Sequence, residues 1–198
     1  TAVRDSVAHF AAVREAVGPE IEIVIDYHTR LDPPDAIKLG RELEIYDPFF
    51  LEDPLRCENP QTYRQIRQHV STPLAVGEHY ATKWEFRQMI EEELLDYARI
   101  DLCIVGGITE ARKIANWCET HYIKIVPHNP LGPVSAAACL HLDLACDNFA
   151  VQEAGLVGDP VMEDLFPLQV PYERGYLLPP QSPGLGIEFN EDVAQARY

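Results

Sequence analysis

The chain has 198 residues, 46% of them apolar, and a formal net charge of −16. That length suits one packed domain with a sizeable core, and the acidic surplus excludes a nucleic-acid partner, which needs clustered Lys and Arg. No apolar run approaches the roughly 20 residues that span a bilayer, and no basic patch followed by an apolar core marks a signal peptide. Five widely spaced cysteines without a C-x-x-C pair fit reduced thiols in a cytoplasmic protein with no membrane partner.

In chain order, a helical pattern near Val3 to Val17 comes first and ends at Gly18-Pro19. A strand is predicted over Ile21 to Asp26, a helix near Asp35 to Ile45 and a second strand over Phe49 to Asp53. Asn59 before Pro60 reads as an N-cap and first helical position, leading to a helix near Thr62 to His69. A strand over Pro73 to Glu78, a helix near Lys83 to Glu93 and a strand over Ala98 to Cys103 follow. Val105-Gly106-Gly107-Ile108 lacks the glycine spacing and the Lys of a phosphate cradle and is taken as a tight turn. Thr109 with Glu110 opens a helix to His121. A strand over Ile123 to His128, a helix over Pro133 to Leu144 and a strand over Phe149 to Glu153 precede a Pro-rich tail.

Strand starts recur about every 25 residues, one β-α unit each, which predicts a parallel sheet with helical crossovers. A barrel and a doubly wound sheet both satisfy that alternation. Polar residues close the predicted strands: Asp26 and His28, Glu52 and Asp53, Glu78, Asp101, His128, Glu153. Carboxyl ends of strands are where barrel active sites are built. Asp26, Glu52 and Glu78 follow one another at intervals of 26 residues, so adjacent strands would bring one carboxylate each to a common rim. Converging carboxylates repel unless a cation holds them, and oxygen-only ligands suit Mg²⁺. In Asp26-Tyr27-His28 the histidine is expected on the same side of an extended strand as the acid.

The strings FLEDP, PLAVGE, RIDLCIVGGITEARKIA and VPHNPLGPVS, with the ending PGLGIEFNED, resemble the enolase superfamily, in particular acid-sugar dehydratases of the mandelate-racemase type. The resemblance implies an α/β fold made of the C-terminal six β-α units of a TIM-type (β/α) barrel, without the first two strands and the N-terminal capping domain. Residues 1–153 would be the partial barrel, and 154–198 a tail packed on the barrel or on the absent cap. It also implies one Mg²⁺ on Asp26, Glu52 and Glu78, His128 as the base with Asp101 orienting it, and Glu153 hydrogen-bonding the substrate carboxylate. His28 would protonate the leaving hydroxyl, and Arg30 would reach a substrate carboxylate or hydroxyl. The expected activity is dehydration of a small-molecule sugar acid by a homo-oligomer, through α-proton abstraction and an enolate. The alternatives are a racemase or epimerase of the same superfamily and a non-catalytic metabolite-sensing relative. The chain is read as a fragment with little or no turnover in isolation. His69, His79, His121 and His141 have no partner in register, His79 being the doubtful one beside Glu78.

Overall fold

The computed structural model describes residues 2–155 and 160–197. Five parallel strands form one sheet: β1 (Ile25–Asp26), β2 (Leu51–Glu52), β3 (Leu74–Val76), β4 (Tyr97–Ala98) and β5 (Lys124–Ile125). Each strand's spatial neighbour is the next in sequence. A doubly wound sheet reverses its strand order part-way; unbroken succession is the arrangement of a barrel segment, which resolves the choice left open by the alternation.

Regular pairing is shorter than predicted, but the extended stretches still bond beyond it. Phe49 N donates to Ile23 O at 2.8 Å, Tyr27 N to Glu52 O at 3.0 Å and Thr29 N to Asp53 O at 2.8 Å. The sixth predicted strand is reduced to a single parallel bridge, Ile125 to Phe149. Its ladder stops for a chemical reason: Pro127 has no N–H to offer, and its carbonyl accepts the side-chain amide of Gln152 at 3.2 Å.

The helices α1 (Ala2–Val17), α2 (Pro33–Leu43), α3 (Tyr63–Arg67), α4 (Lys83–Glu91), α5 (Leu102–Val105), α6 (Ile108–Glu119) and α7 (Pro133–Asp143) occupy the connections. α4 starts where Glu85 accepts the backbone N–H groups of Ala81 and Thr82 at 2.7 and 2.8 Å, a capping box with Thr82. α6 begins at Ile108 behind Gly107, one residue before the predicted Thr109. Strand alternation divides the core. Leu51, Leu74, Val76, Ala98 and Ile125 face the helices in the main cluster, whereas Phe50, Ala75 and Val126 form a separate inner cluster with Phe49 and Tyr97. Phe50, Glu52, Arg99 and Val126 line one cavity on that inner side.

Beyond the strands lie α8 (Pro160–Glu163), a hairpin of β6 (Tyr172–Glu173) and β7 (Tyr176–Leu177), and α9 (Glu191–Arg197). Arg174 and Gly175, both with positive φ, make the hairpin turn. Val170, Leu177, Leu185 and Ile187 pack on Ala137 and Leu140 of α7.

α7 also carries a buried carboxyl, Asp143, 5% exposed, neither oxygen of which has a hydrogen-bond partner. Burial pushes its pKa up to about 8. Between the ordinary carboxylate range and about 8 the folded state holds a proton that the unfolded state has lost, so stability falls as pH rises through that window, by about 1.4 kcal/mol per unit. Asp143→Asn removes the titration. Thermal melts of the complete protein between pH 5 and 8 should show the variant gaining on the wild type as pH rises, with the smallest difference at pH 5. Parallel curves would refute the assignment.

Candidate active site

The register of β1 on β2 sets Asp26 directly opposite Glu52. Glu78 lies two residues past β3, behind Gly77. Gly77 has φ +137°, and a Cβ there would stand 2.5 Å from the Phe86 ring, so the turn that delivers Glu78 admits only glycine. Tyr80 N closes it on Gly77 O at 2.9 Å. Glu52, Asp53 and Glu78 are buried, while Asp26 is exposed.

Burial first, and then the neighbouring carboxylates, raise the affinity of Glu52 and Asp53 for protons. Burial lifts Glu52 to about 7; Arg99 pulls it down, while the hydrogen bond to Glu78 and the charge of Asp26 push it up. Asp53 is held well above the carboxylate range, first by burial and then by Glu78 and Glu52, against the Gly77 N–H that it accepts at 3.3 Å. The other oxygen of Asp53 is buried without a hydrogen-bond partner.

Three histidines surround Glu78. His128 presents Nε2 3.4 Å from Glu78 Oε2, and its Nδ1 is 2.9 Å from Asp101 Oδ2. Asp101 also caps α5, its Oδ1 accepting from Cys103 N and Ile104 N. His28 Nδ1 stands 3.2 Å from Glu78 Oε1 and 3.4 Å from Asp26 Oδ2. It gets there by a turn, not by the extended strand expected from sequence. β1 ends at Asp26, whose Oδ1 accepts the His28 N–H at 2.6 Å, and His28 and Thr29 have φ of 48° and 60°. His79 Nε2 lies 3.3 Å from Glu78 Oε1 and 3.8 Å from Asp53 Oδ2. Burial, then the neighbouring His28 and His128, hold His79 below the ordinary histidine pKa. Among the described residues, the ligand-type atoms that gather within 4.8 Å of one another are those of His28, Glu78 and His79. Asp26, Glu52 and Glu78, expected to share one ion, do not form such a group among the described residues: Glu52 pairs with Arg99 and Asp26 with His28.

Arg99, 4% exposed, is the cation of the inner face. Its Nε pairs with Glu52 Oε1, its Nη2 with Glu153 Oε2 at 2.7 Å, and its Nη1 with the carbonyls of Val126 and Pro127. Burial alone would lower its pKa, but Glu52 and Glu153 raise it. Glu153 also accepts Asn129 N at 2.8 Å, and despite its burial the charge of Arg99 and this N–H hold it below the ordinary range. Thus Asp101 and His128 meet, as do His28, Asp26 and Glu78, and Glu153 reaches the group through Arg99. Arg30 is exposed, its backbone N–H bonded to Tyr27 O at 3.1 Å. Sequence reasoning missed Arg99 and set His79 aside. The available signals were a lone charge inside the apolar run Ala98-Arg99-Ile100 and the glycine before Glu78-His79.

A family model described as enolase C-terminal domain-like matches residues 1–193. A D-mannonate dehydratase of Caulobacter sp. (strain K31) is 42% identical over 187 residues, covering 93% of this chain and 46% of that protein. A D-galactonate dehydratase family member of Streptomyces bingchenggensis is 43% identical over 190 residues, 95% of this chain and 46% of its own length. The chain therefore spans about half the length of the curated relatives it matches. Among solved structures, an enolase from Pantoea ananatis with bound D-gluconate and Mg superposes with a TM-score of 0.92 at 35% identity, over 98% of this chain and 47% of that one.

Replacing Arg99 with Met leaves the buried Glu52 and the half-buried Glu153 without their cation. Removing one partner of a buried ion pair costs about 3–5 kcal/mol, and chemical denaturation of Arg99→Met at pH 8 should show a loss of that order. The loss should shrink at pH 5, where a protonated Glu52 no longer needs the guanidinium. A pH-independent or negligible change would contradict the account.

Proposed function

The chain belongs to the enolase C-terminal domain-like family, and from that premise we propose that it carries the metal-binding and proton-transfer machinery of a Mg²⁺-dependent acid-sugar dehydratase, a hydro-lyase. The observation that carries the reading is the pair of imidazoles on either side of one buried carboxylate: His28 by Oε1 of Glu78 and His128 by Oε2. Dehydration needs a base for the α-proton and a separate acid for the leaving hydroxyl. The names of the mannonate and galactonate dehydratase relatives, and the D-gluconate and Mg in the Pantoea enolase, support a sugar acid and that ion.

The donor set fits a hard divalent cation. Asp26, Glu52 and Glu78 offer oxygen only; burial first, and then Glu78 and Asp26, raise the pKa of Glu52, and a bound cation would relieve that cost. These three residues would hold it. When bound, Mg²⁺ supplies the positive charge against which negative charge developing on a substrate carboxylate is stabilised.

His128 takes the α-proton on Nε2. Asp101 at Nδ1 fixes the tautomer that leaves Nε2 free to accept, and it stabilises the imidazolium that forms. His28 gives a proton to the β-hydroxyl as it departs, so the α-proton and the hydroxyl leave the substrate as the elements of water and an enol remains. The enol then tautomerises to the 2-keto-3-deoxy acid. Glu153 was expected to hydrogen-bond the substrate carboxylate. Held ionised by Arg99 and Asn129, it can only accept, and we assign it to a substrate hydroxyl instead. Arg30 is assigned to the substrate carboxylate or a hydroxyl. In this reading residues 1–153 form the working portion and 154–198 the tail.

The test is a set of acid sugars, including D-mannonate, D-galactonate and D-gluconate, given to the complete protein with Mg²⁺ and followed for the 2-keto-3-deoxy product. His128→Asn should lower kcat by about 10²–10⁴-fold. His28→Asn should suppress loss of water while the α-proton still exchanges in D₂O. Exchange without elimination in the wild type, or no turnover of any sugar acid, would sink the proposal.

A further inference from the structure

His79 has no part in the dehydration chemistry, yet it sits against Glu78 as closely as His28 does. The distances carry more than proximity. Glu78 Oε1 is 3.2 Å from His28 Nδ1 and 3.3 Å from His79 Nε2. Ligand atoms bound at about 2.0–2.1 Å around a tetrahedral ion stand roughly 3.3–3.4 Å apart. The three atoms lie within 4.8 Å of one another, and the two rings are tilted at 57° with centroids 5.5 Å apart. We propose that His28, Glu78 and His79 form a second divalent-metal site, one that takes a borderline first-row ion of the Zn²⁺ class.

Donor chemistry separates this site from the carboxylate set of Asp26, Glu52 and Glu78. Two imidazoles and one carboxylate favour Zn²⁺, Co²⁺ or Ni²⁺ over Mg²⁺, which prefers oxygen. A further acid stands ready on each side. Asp26 Oδ2 is 3.4 Å from His28 Nδ1. Asp53 Oδ2, in a residue 2% exposed, has no hydrogen-bond partner and faces His79 Nε2 at 3.8 Å. An unsatisfied buried carboxylate oxygen is costly unless something positive or protonated meets it, and an ion held between the imidazoles brings that charge within reach. Glu78 belongs to both ligand sets, so an ion held by the two imidazoles would draw its Oε1 away from the carboxylate set. Resting on the proposed function, this makes Zn²⁺ an inhibitor that also ties up the proton donor His28.

The experiment uses the complete protein, titrated with Zn²⁺ by calorimetry and with Co²⁺ by visible absorption, beside His79→Ala, the volume-preserving His79→Gln, and a parallel Mg²⁺ titration of all three. Loss of an outer partner of a metal ligand costs about 10–100-fold in affinity. Loss of His79 itself should therefore weaken Zn²⁺ by more than ~100-fold and change the Co²⁺ spectrum, leaving Mg²⁺ affinity as it was. Zn²⁺ and Co²⁺ binding that is unchanged in both variants overturns the inference and leaves the dehydratase reading standing. A site dependent on His79 in a protein that binds no Mg²⁺ does the reverse.

Discussion

Everything at the rim is arranged around one buried guanidinium. Arg99 sits just past β4 on the inner face and reaches Glu52 at the end of β2 on one side and Glu153 in the bridging stretch beyond β5 on the other. It also holds two carbonyls of the segment that leads to His128. An interior of this kind has little water to screen charge, so the pairing is strong and each partner's orientation is constrained. A lysine would supply the charge but not the planar fork that touches several elements at once. The geometry of the rim therefore depends on a residue that takes no part in the proposed chemistry.

The acids around Glu78 work in the opposite sense. Asp26, Glu52, Asp53 and Glu78 repel one another, and burial adds to the cost of keeping Glu52 and Asp53 charged. The backbone adds strain, since His28, Thr29 and Asp53 adopt left-handed φ of 48°, 60° and 34° without being glycine. Positions of that kind cost on the order of 1–3 kcal/mol each and persist where the surroundings over-determine them. Here both costs fall within a few residues of the same carboxylates, next to Arg99 and the imidazoles that offset part of the charge.

Much of this was legible in the sequence, because strand ends are marked by chemistry. Asp26, Glu52 and Glu78 stood out by spacing, and Asp101 with His128 by position on successive strands. The parallel register of β1 on β2 then follows from two apolar runs that each finish in an acid. What was not legible depends on directions that no residue type encodes. The turn at His28 has no glycine to announce its left-handed backbone, so an extended strand was the natural expectation. The direction of His79 is set by the conformation of Gly77 and by the Tyr80 N–H that closes the turn. Arg99 read as a strand residue because its partners lie 47 and 54 positions away. The shortening of the sixth strand hinges on one proline and one glutamine side chain, too local to show in a pattern.

The order of the strands links these observations. In a sheet whose neighbours are consecutive in sequence, residues about 25 apart are spatial neighbours, and all strand ends fall on one rim. A reaction that separates a proton from a hydroxyl needs its base and acid at different angles around the substrate. Alternate strands of the sheet provide this without long-range rearrangement: His28 follows β1, Glu78 follows β3 and His128 follows β5. Glu78 thus lies just past the middle strand, between the two imidazoles. In the proposed reaction, an ion or substrate group drawn to it would be flanked by His128 on one side and His28 on the other.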